Sequence, residues 1–118
     1  MHIYHIASEA DWSKATENSA YRISTRGKTL DEQGFIHAGD AEQVTPVANL
    51  TYGSDDGLIV LVIDVDRLHS EVRYESVPGW DSPFPHIYGP LNIDAVVATL
   101  PLHRGPDGRF AFSVTTKQ

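Results

Sequence analysis

The chain has 118 residues, with 9 Lys and Arg against 16 Asp and Glu, a formal charge of −7, 41% hydrophobic residues and no cysteine. That composition belongs to a globular protein with one packed core. It excludes disulfides, thiolate nucleophiles and thiolate metal sites, and the scattered basic residues exclude phosphate-backbone binding to nucleic acid. No apolar run reaches the roughly 18 residues of a membrane span, and the N-terminus lacks the basic flank and apolar run of a secretory signal. A single domain over residues 1–118, without a membrane segment and in the cytoplasm, is the expectation.

Residues 2–7 alternate aromatic and β-branched side chains and read as a first strand, with Ile3 and His5 on one face and Tyr4 and Ile6 on the other. Ser8 stands three residues before Asp11, close to a capping box, and predicts a helix of about two turns with Trp12 as its anchor to the core. Tyr21-Arg22-Ile23 is a short extended piece, followed by a polar stretch at residues 24–33 that reads as a mobile loop. Gly34-Phe35-Ile36-His37 predicts a second strand in which Phe35 and His37 share a face.

Asp40 and Gln43 have capping-box spacing ahead of Val44, Val47, Ala48 and Thr51, which predicts a helix over residues 41–52. Pro46 falls inside it: either the helix kinks there, or it starts later with Thr45 as cap and Pro46 in its first turn. The turn at residues 53–57 leads into Leu58-Ile59-Val60-Leu61-Val62-Ile63, a continuous apolar run expected as the central strand, covered on both faces. One helical turn capped by Asp64 or Asp66 follows, then a strand at residues 72–76.

Phe84-Pro85-His86-Ile87-Tyr88 alternates so that Phe84, His86 and Tyr88 share a face, before Gly89-Pro90 turns the chain. Residues 93–100 and 110–114 read as two last strands, paired as an antiparallel hairpin through Gly105-Pro106-Asp107-Gly108. Six or seven strands and two helices, both in the first half, argue for α+β with a curved, mostly antiparallel sheet.

Six histidines occur without a His-x-His pair on a strand or a His-x-x-x-His pair on a helix, so no metal site is expected. His69 and His103 lie in polar turns. His37 and His86 stand at strand ends beside aromatics, each followed within three residues by glycine, where an imidazole serves as donor, acceptor or general acid and base. Tyr88 can stack on a planar ligand or donate through its hydroxyl, and Glu75 is the strand carboxylate with a possible catalytic role. Arg22 and Arg73 are the cations best placed to hold an anionic group.

Ile3-Tyr4-His5-Ile6, Gly34-Phe35-Ile36-His37, Ala41-Glu42-Gln43-Val44, Val47-Ala48-Asn49, Tyr74-Glu75 and Phe84-Pro85-His86-Ile87-Tyr88-Gly89-Pro90-Leu91 together resemble a family of small bacterial proteins. It is the domain of unknown function 952, and the resemblance runs over about residues 3–110. A wider likeness, to the ADP-ribosyltransferase fold, implies a split sheet around an NAD-binding cleft. On that likeness His5 is the counterpart of a ribose-binding residue and His37 lies on the next strand of the cleft. Glu75 stands in for the glutamate that orients the ribose hydroxyl, or His86 or Tyr88 takes its place.

The expectation is therefore a cleft lined by His5, His37, His86 and Tyr88, with Phe84 and Arg22 as further ligand-binding residues, that takes a nucleotide-like or other planar anionic small molecule. ADP-ribosyl chemistry would fall to His37, His86 and Glu75. The alternative is a non-catalytic module that binds a ligand or a partner protein.

Overall fold

The computed structural model describes residues 1–25, 28–53 and 55–113. In chain order its elements are β1 (His2–Ser8), α1 (Glu9–Asn18), β2 (Ala20–Tyr21), β3 (Ile23–Thr25), β4 (Lys28–Thr29), α2 (Leu30–Gln33), β5 (Ile36–His37) and α3 (Ala41–Thr51). There follow β6 (Leu58–Asp64), β7 (Glu71–Glu75), β8 (Phe84–Tyr88), β9 (Leu91–Asn92), β10 (Val96–Pro101), β11 (His103–Arg104) and β12 (Phe110–Ala111). Single 3-10 turns at Val65–Arg67 and Ile93–Ala95 lead out of β6 and into β10.

The apolar run of β6 is the centre of one sheet, with β1 and β10 antiparallel on either side of it. Period-2 alternation splits its side chains between two cores. Leu61 and Ile63 join Ile3, Ala7, Tyr21 and Ile87 on one face, while Val60 and Val62 join Tyr4, Ile6, Val44 and Ala48 under α3 on the other. Each such side chain contributes about 1.5–3 kcal/mol by leaving water, which is why this strand anchors both layers.

A second antiparallel sheet has β8 between β5 and β7. Among the described residues the ladders of the two sheets are joined by one backbone bridge, where Tyr4 N donates to Gly39 O and Gly39 N to Tyr4 O, each at 2.8 Å, just past the end of β5. The β1–β5 boundary is thus a seam held by one bridge, with room for a cleft beside it. The architecture is α+β, built from several antiparallel sheets.

The helix starts follow the sequence. Ser8 Oγ accepts from Asp11 N at 3.1 Å at the head of α1, and Gln43 Oε1 accepts from Asp40 N at 2.8 Å at the head of α3. Of the two readings of Pro46, α3 runs from Ala41 with the proline inside it. Glu42 and Pro46 both face solvent, so the Glu42 carbonyl that loses its helical partner is hydrated rather than buried. Asp64 Oδ1 accepts from Asp66 N at 3.0 Å and caps the turn after β6.

Three expectations need correction. The stretch at 24–33 is not a loop among its described residues: β3 pairs with β4, and Thr29 and Glu32 form a capping box on the one-turn helix α2, a third helix beyond the two expected. Residues 93–95 are a 3-10 turn, so the strand starts only at Val96. The last two strands do not pair with each other either, because β10 takes the open edge of β6 and β12 pairs with β11. The outer backbone of the β12 segment is held instead by side chains of α3: Phe110 N donates to Asn49 Oδ1 at 2.8 Å and Phe112 N to Thr45 Oγ1 at 2.9 Å. Val114, included in that expected strand, lies outside the described residues. No helix among the described residues is long and apolar enough to cross a membrane.

Candidate functional site

At the seam, His5 fills the gap that the diverging strands leave. Its Nδ1 donates to the His37 carbonyl at 2.5 Å, and its Nε2 accepts from the Tyr21 hydroxyl at 2.9 Å. Both nitrogens are engaged, which fixes the neutral tautomer with the proton on Nδ1. Burial pushes the pKa of His5 down to about 4, against the smaller opposing effect of its bond to the His37 carbonyl. Burial likewise pushes the Tyr21 phenol up, so the pair stays neutral across the physiological range.

Beside this staple lies a cleft of about 200 Å³. Its α3 wall carries Val44, Val47 and Leu50, its β3 wall Ser24 and Thr25, and its outer wall Val77, Trp80 and Phe84. The Trp80 ring stands edge-on to Phe84 with centroids 5.1 Å apart. Gln43 ties two walls together, because its Nε2 donates to the Pro83 carbonyl at 3.0 Å while its Oε1 caps α3. Gly39 lies at the meeting point of β1, α3 and Phe84, where an added Cβ would come within 3.3 Å of the Gln43 Cβ. No described residue lining the cleft carries a formal charge apart from the titratable imidazoles of His5 and His37.

His37 is the titratable group of the cleft whose ring has no hydrogen-bond partner among the described residues. It is half-buried, and desolvation first, then the neighbouring His86, holds its pKa below the ordinary value, so it is neutral at pH 7. Its ring meets that of His86 edge-on at 5.3 Å and that of Phe35 at 4.8 Å. These contacts follow from register: His37 lies opposite His86 across the β5–β8 pair, and Phe35 shares the face of His37.

The same register builds a second cluster next to the cleft. Arg73 lies opposite His86, and Glu75 opposite Phe84, across the β7–β8 pair. Glu75 Oε1 accepts from His86 Nδ1 at 2.7 Å and from the Tyr88 hydroxyl at 2.6 Å. These two donors, Tyr88 first, hold the Glu75 carboxyl below the usual carboxylate range, and Glu75 in turn raises the Tyr88 phenol. The Arg73 guanidinium lies 4.5 Å over the Tyr88 ring while also bonding Glu71 at 3.0 Å. Phe35 stacks on His86 at 4.1 Å and 19°, and covers it. His86 Nε2 is buried with no hydrogen-bond partner. Gly89 closes this motif at φ +152°, where a Cβ would collide with Ser70, whose hydroxyl donates to the Pro90 carbonyl at 2.7 Å.

Of the residues picked from sequence, His5, His37 and Phe84 line the cleft, and Glu75, His86 and Tyr88 form the adjoining cluster that meets it through His37. Arg22 is not with either group. It lines a separate depression with Thr16, His69 and Asn92. The two arginines expected to hold an anion are therefore both away from the cleft lining. Tyr21, Ser24 and Phe35 were not among the picked residues. Phe35 was readable from its alternation with His37, whereas Tyr21 and Ser24 gain their places only through tertiary packing. Among the described residues no group of three His, Asp or Glu side chains is placed to hold a metal ion.

A split antiparallel sheet with an aromatic-walled cleft at its seam defines the class: a small α+β protein with a cleft of small-molecule size beside the join of its sheets. The chain belongs to the family described as Protein of unknown function (DUF952), whose model matches residues 6–99. It is similar to protein CC0527 from Caulobacter crescentus, a structural-genomics target. The crystal structure of that protein shares 27% identity with a TM-score of 0.81 and covers 94% of each chain. Its solution NMR structure shares 29% identity with a TM-score of 0.73 and covers 92% of this chain and 90% of that one. No curated protein matches the chain. These comparisons carry the family and the fold; the ADP-ribosyltransferase likeness is not part of what they show.

Proposed function

We propose that the protein binds a small, planar, uncharged molecule in the seam cleft, and that His37 serves there as a hydrogen-bonding group. The observation that carries this reading is the His37 ring: half-buried in the cleft wall, neutral at pH 7 and without a partner among the described residues. Convergent polar groups in an otherwise apolar concavity are the usual composition of a ligand site. A cleft of about 200 Å³ falls between the roughly 150 Å³ cavity that takes benzene and the roughly 300–1,000 Å³ of drug-sized sites. One or two rings lie within it, and most of a dinucleotide such as NAD would lie outside.

An anionic ligand is disfavoured on this reading. No Lys or Arg of the described residues lines the cleft, and the Asp40 and Glu42 carboxylates act on cleft-lining Tyr4 to raise its phenol, after burial as the larger cause. Catalysis at His86 is disfavoured as well, because Phe35 covers the ring and the side chain does not line the cleft. Ligand-observed saturation-transfer NMR at neutral pH with one- and two-ring aromatic fragments tests the proposal. Transfer to a subset is expected, and His37→Ala should weaken those affinities about fivefold while the thermal midpoint moves by no more than a few degrees. Silence across the fragment set sinks the reading.

A further inference from the structure

Ser24 is the one hydroxyl among the described residues that is both fully buried, at 0% exposure, and without a hydrogen-bond partner, and it lines the seam cleft. A hydroxyl is donor and acceptor at once, and burying it unpaired is unfavourable. The neighbouring Thr25 hydroxyl already pairs with that of Tyr52 at 3.2 Å, so Ser24 is the group on the β3 wall with capacity left. The flat rings of Trp80 and Phe84 line the same cleft. Resting on the ligand-cleft reading above, we infer that Ser24 is the specificity-determining residue of that cleft. It selects uncharged one- or two-ring heteroaromatics that present a donor and an acceptor on one edge, as a lactam does.

The chemistry follows from complementarity. A lactam edge offers an N–H and a C=O side by side, which a serine hydroxyl and a neutral imidazole can meet without any charge being buried. An apolar ring of the same shape fills the same volume and leaves Ser24 unpaired. A carboxylate on that ring brings a charge against a lining with no cation among its described residues, where its lost hydration is not offset. Discrimination between ligands then comes from the hydroxyl rather than from the shape of the walls.

Three ligands of the same fused two-ring shape make the test: quinolin-2-one, naphthalene and 2-naphthoate. Each is titrated at pH 7.5 into the isotope-labelled full chain, and affinity is read from amide chemical-shift changes. The wild type should bind quinolin-2-one about tenfold more tightly than naphthalene, and the carboxylate most weakly. Ser24→Ala should cut the lactam-to-naphthalene ratio several-fold, to what His37 alone supports, while leaving naphthalene affinity and the thermal midpoint at wild-type values or above, since the substitution removes a buried unpaired hydroxyl. A ratio near one in the wild type, a ratio kept by Ser24→Ala, or tightest binding by the carboxylate each overturns the inference while leaving the ligand cleft standing. No shift in cleft amides with any of the three removes both.

Discussion

His5 and His86 are buried to nearly the same degree, at 3% and 4% exposure, yet they belong to opposite kinds of site. His5 has a partner at each nitrogen and sits at the join of two sheets. His86 has one partner, Glu75, and an unpaired Nε2 beneath the Phe35 ring. What separates a structural imidazole from an available one is therefore how many of its hydrogen bonds the fold satisfies, and burial alone does not report it. His5 spans the seam through both of its nitrogens, while its neighbour His37 lines the cleft with no hydrogen-bond partner for its ring among the described residues.

Removing the seam staple should have the largest effect. His5→Ala leaves the His37 carbonyl and the Tyr21 hydroxyl buried without their partner and opens a cavity between β1 and β5. A loss of about 3–5 kcal/mol is expected in urea unfolding, with an unchanged m-value. A loss under about 1 kcal/mol would mean that the Tyr4–Gly39 bridge holds the seam by itself.

The same histidine sets a pH dependence. Its pKa is about 4 in the folded protein, below the ordinary 6.5, so between those values the unfolded chain binds the proton and the folded one does not. Stability is fully present above pH 6.5 and falls as the pH drops toward 4, by about 2 kcal/mol between pH 7 and pH 5. His37, also held low, acts in the same direction. Urea midpoints measured across that range check it, and a flat profile would show that His5 is protonated in the native state.

Much of this frame was legible because it is local. The apolar run of β6 declared a doubly covered strand, Ser8 and Asp40 announced the helix starts, and the alternation in Phe84-Pro85-His86-Ile87-Tyr88 belongs to the strand β8 that forms there. What was not legible depends on which strands meet. Ser24 sits among polar neighbours that read as a solvated loop, and only the packing of β3 beside β5 makes it a buried wall. In the same way the hairpin expected at the C-terminal end fails because β6 offers β10 a longer apolar ladder than β12 does. Arg22 was assigned to the cleft by charge alone, and the fold places it in a separate depression with Thr16, His69 and Asn92.

The contrast between the two histidines is sharpest in the tyrosines that bond near them, since the same deletion can be made in each. Tyr21→Phe removes the hydroxyl that donates to His5 Nε2 and leaves that nitrogen buried in the core, where water does not reach it. The cost is the desolvation of one unpaired acceptor, about 1–2 kcal/mol. Tyr88→Phe removes the hydroxyl that donates to Glu75, whose side chain is 38% exposed and accepts from solvent instead. Its midpoint should stay within about one degree of wild type, because a hydrogen bond exchanged for water contributes little net stability. The Glu75 carboxyl should then titrate closer to its ordinary range, since Tyr88 is the larger of the two donors holding it down. Carbon-detected NMR of the Glu75 side chain reads that shift directly. Equal destabilisation by the two substitutions would mean that the Glu75 cluster is as dry as the seam, and that Phe35 closes over it more completely than its stacking on His86 alone requires.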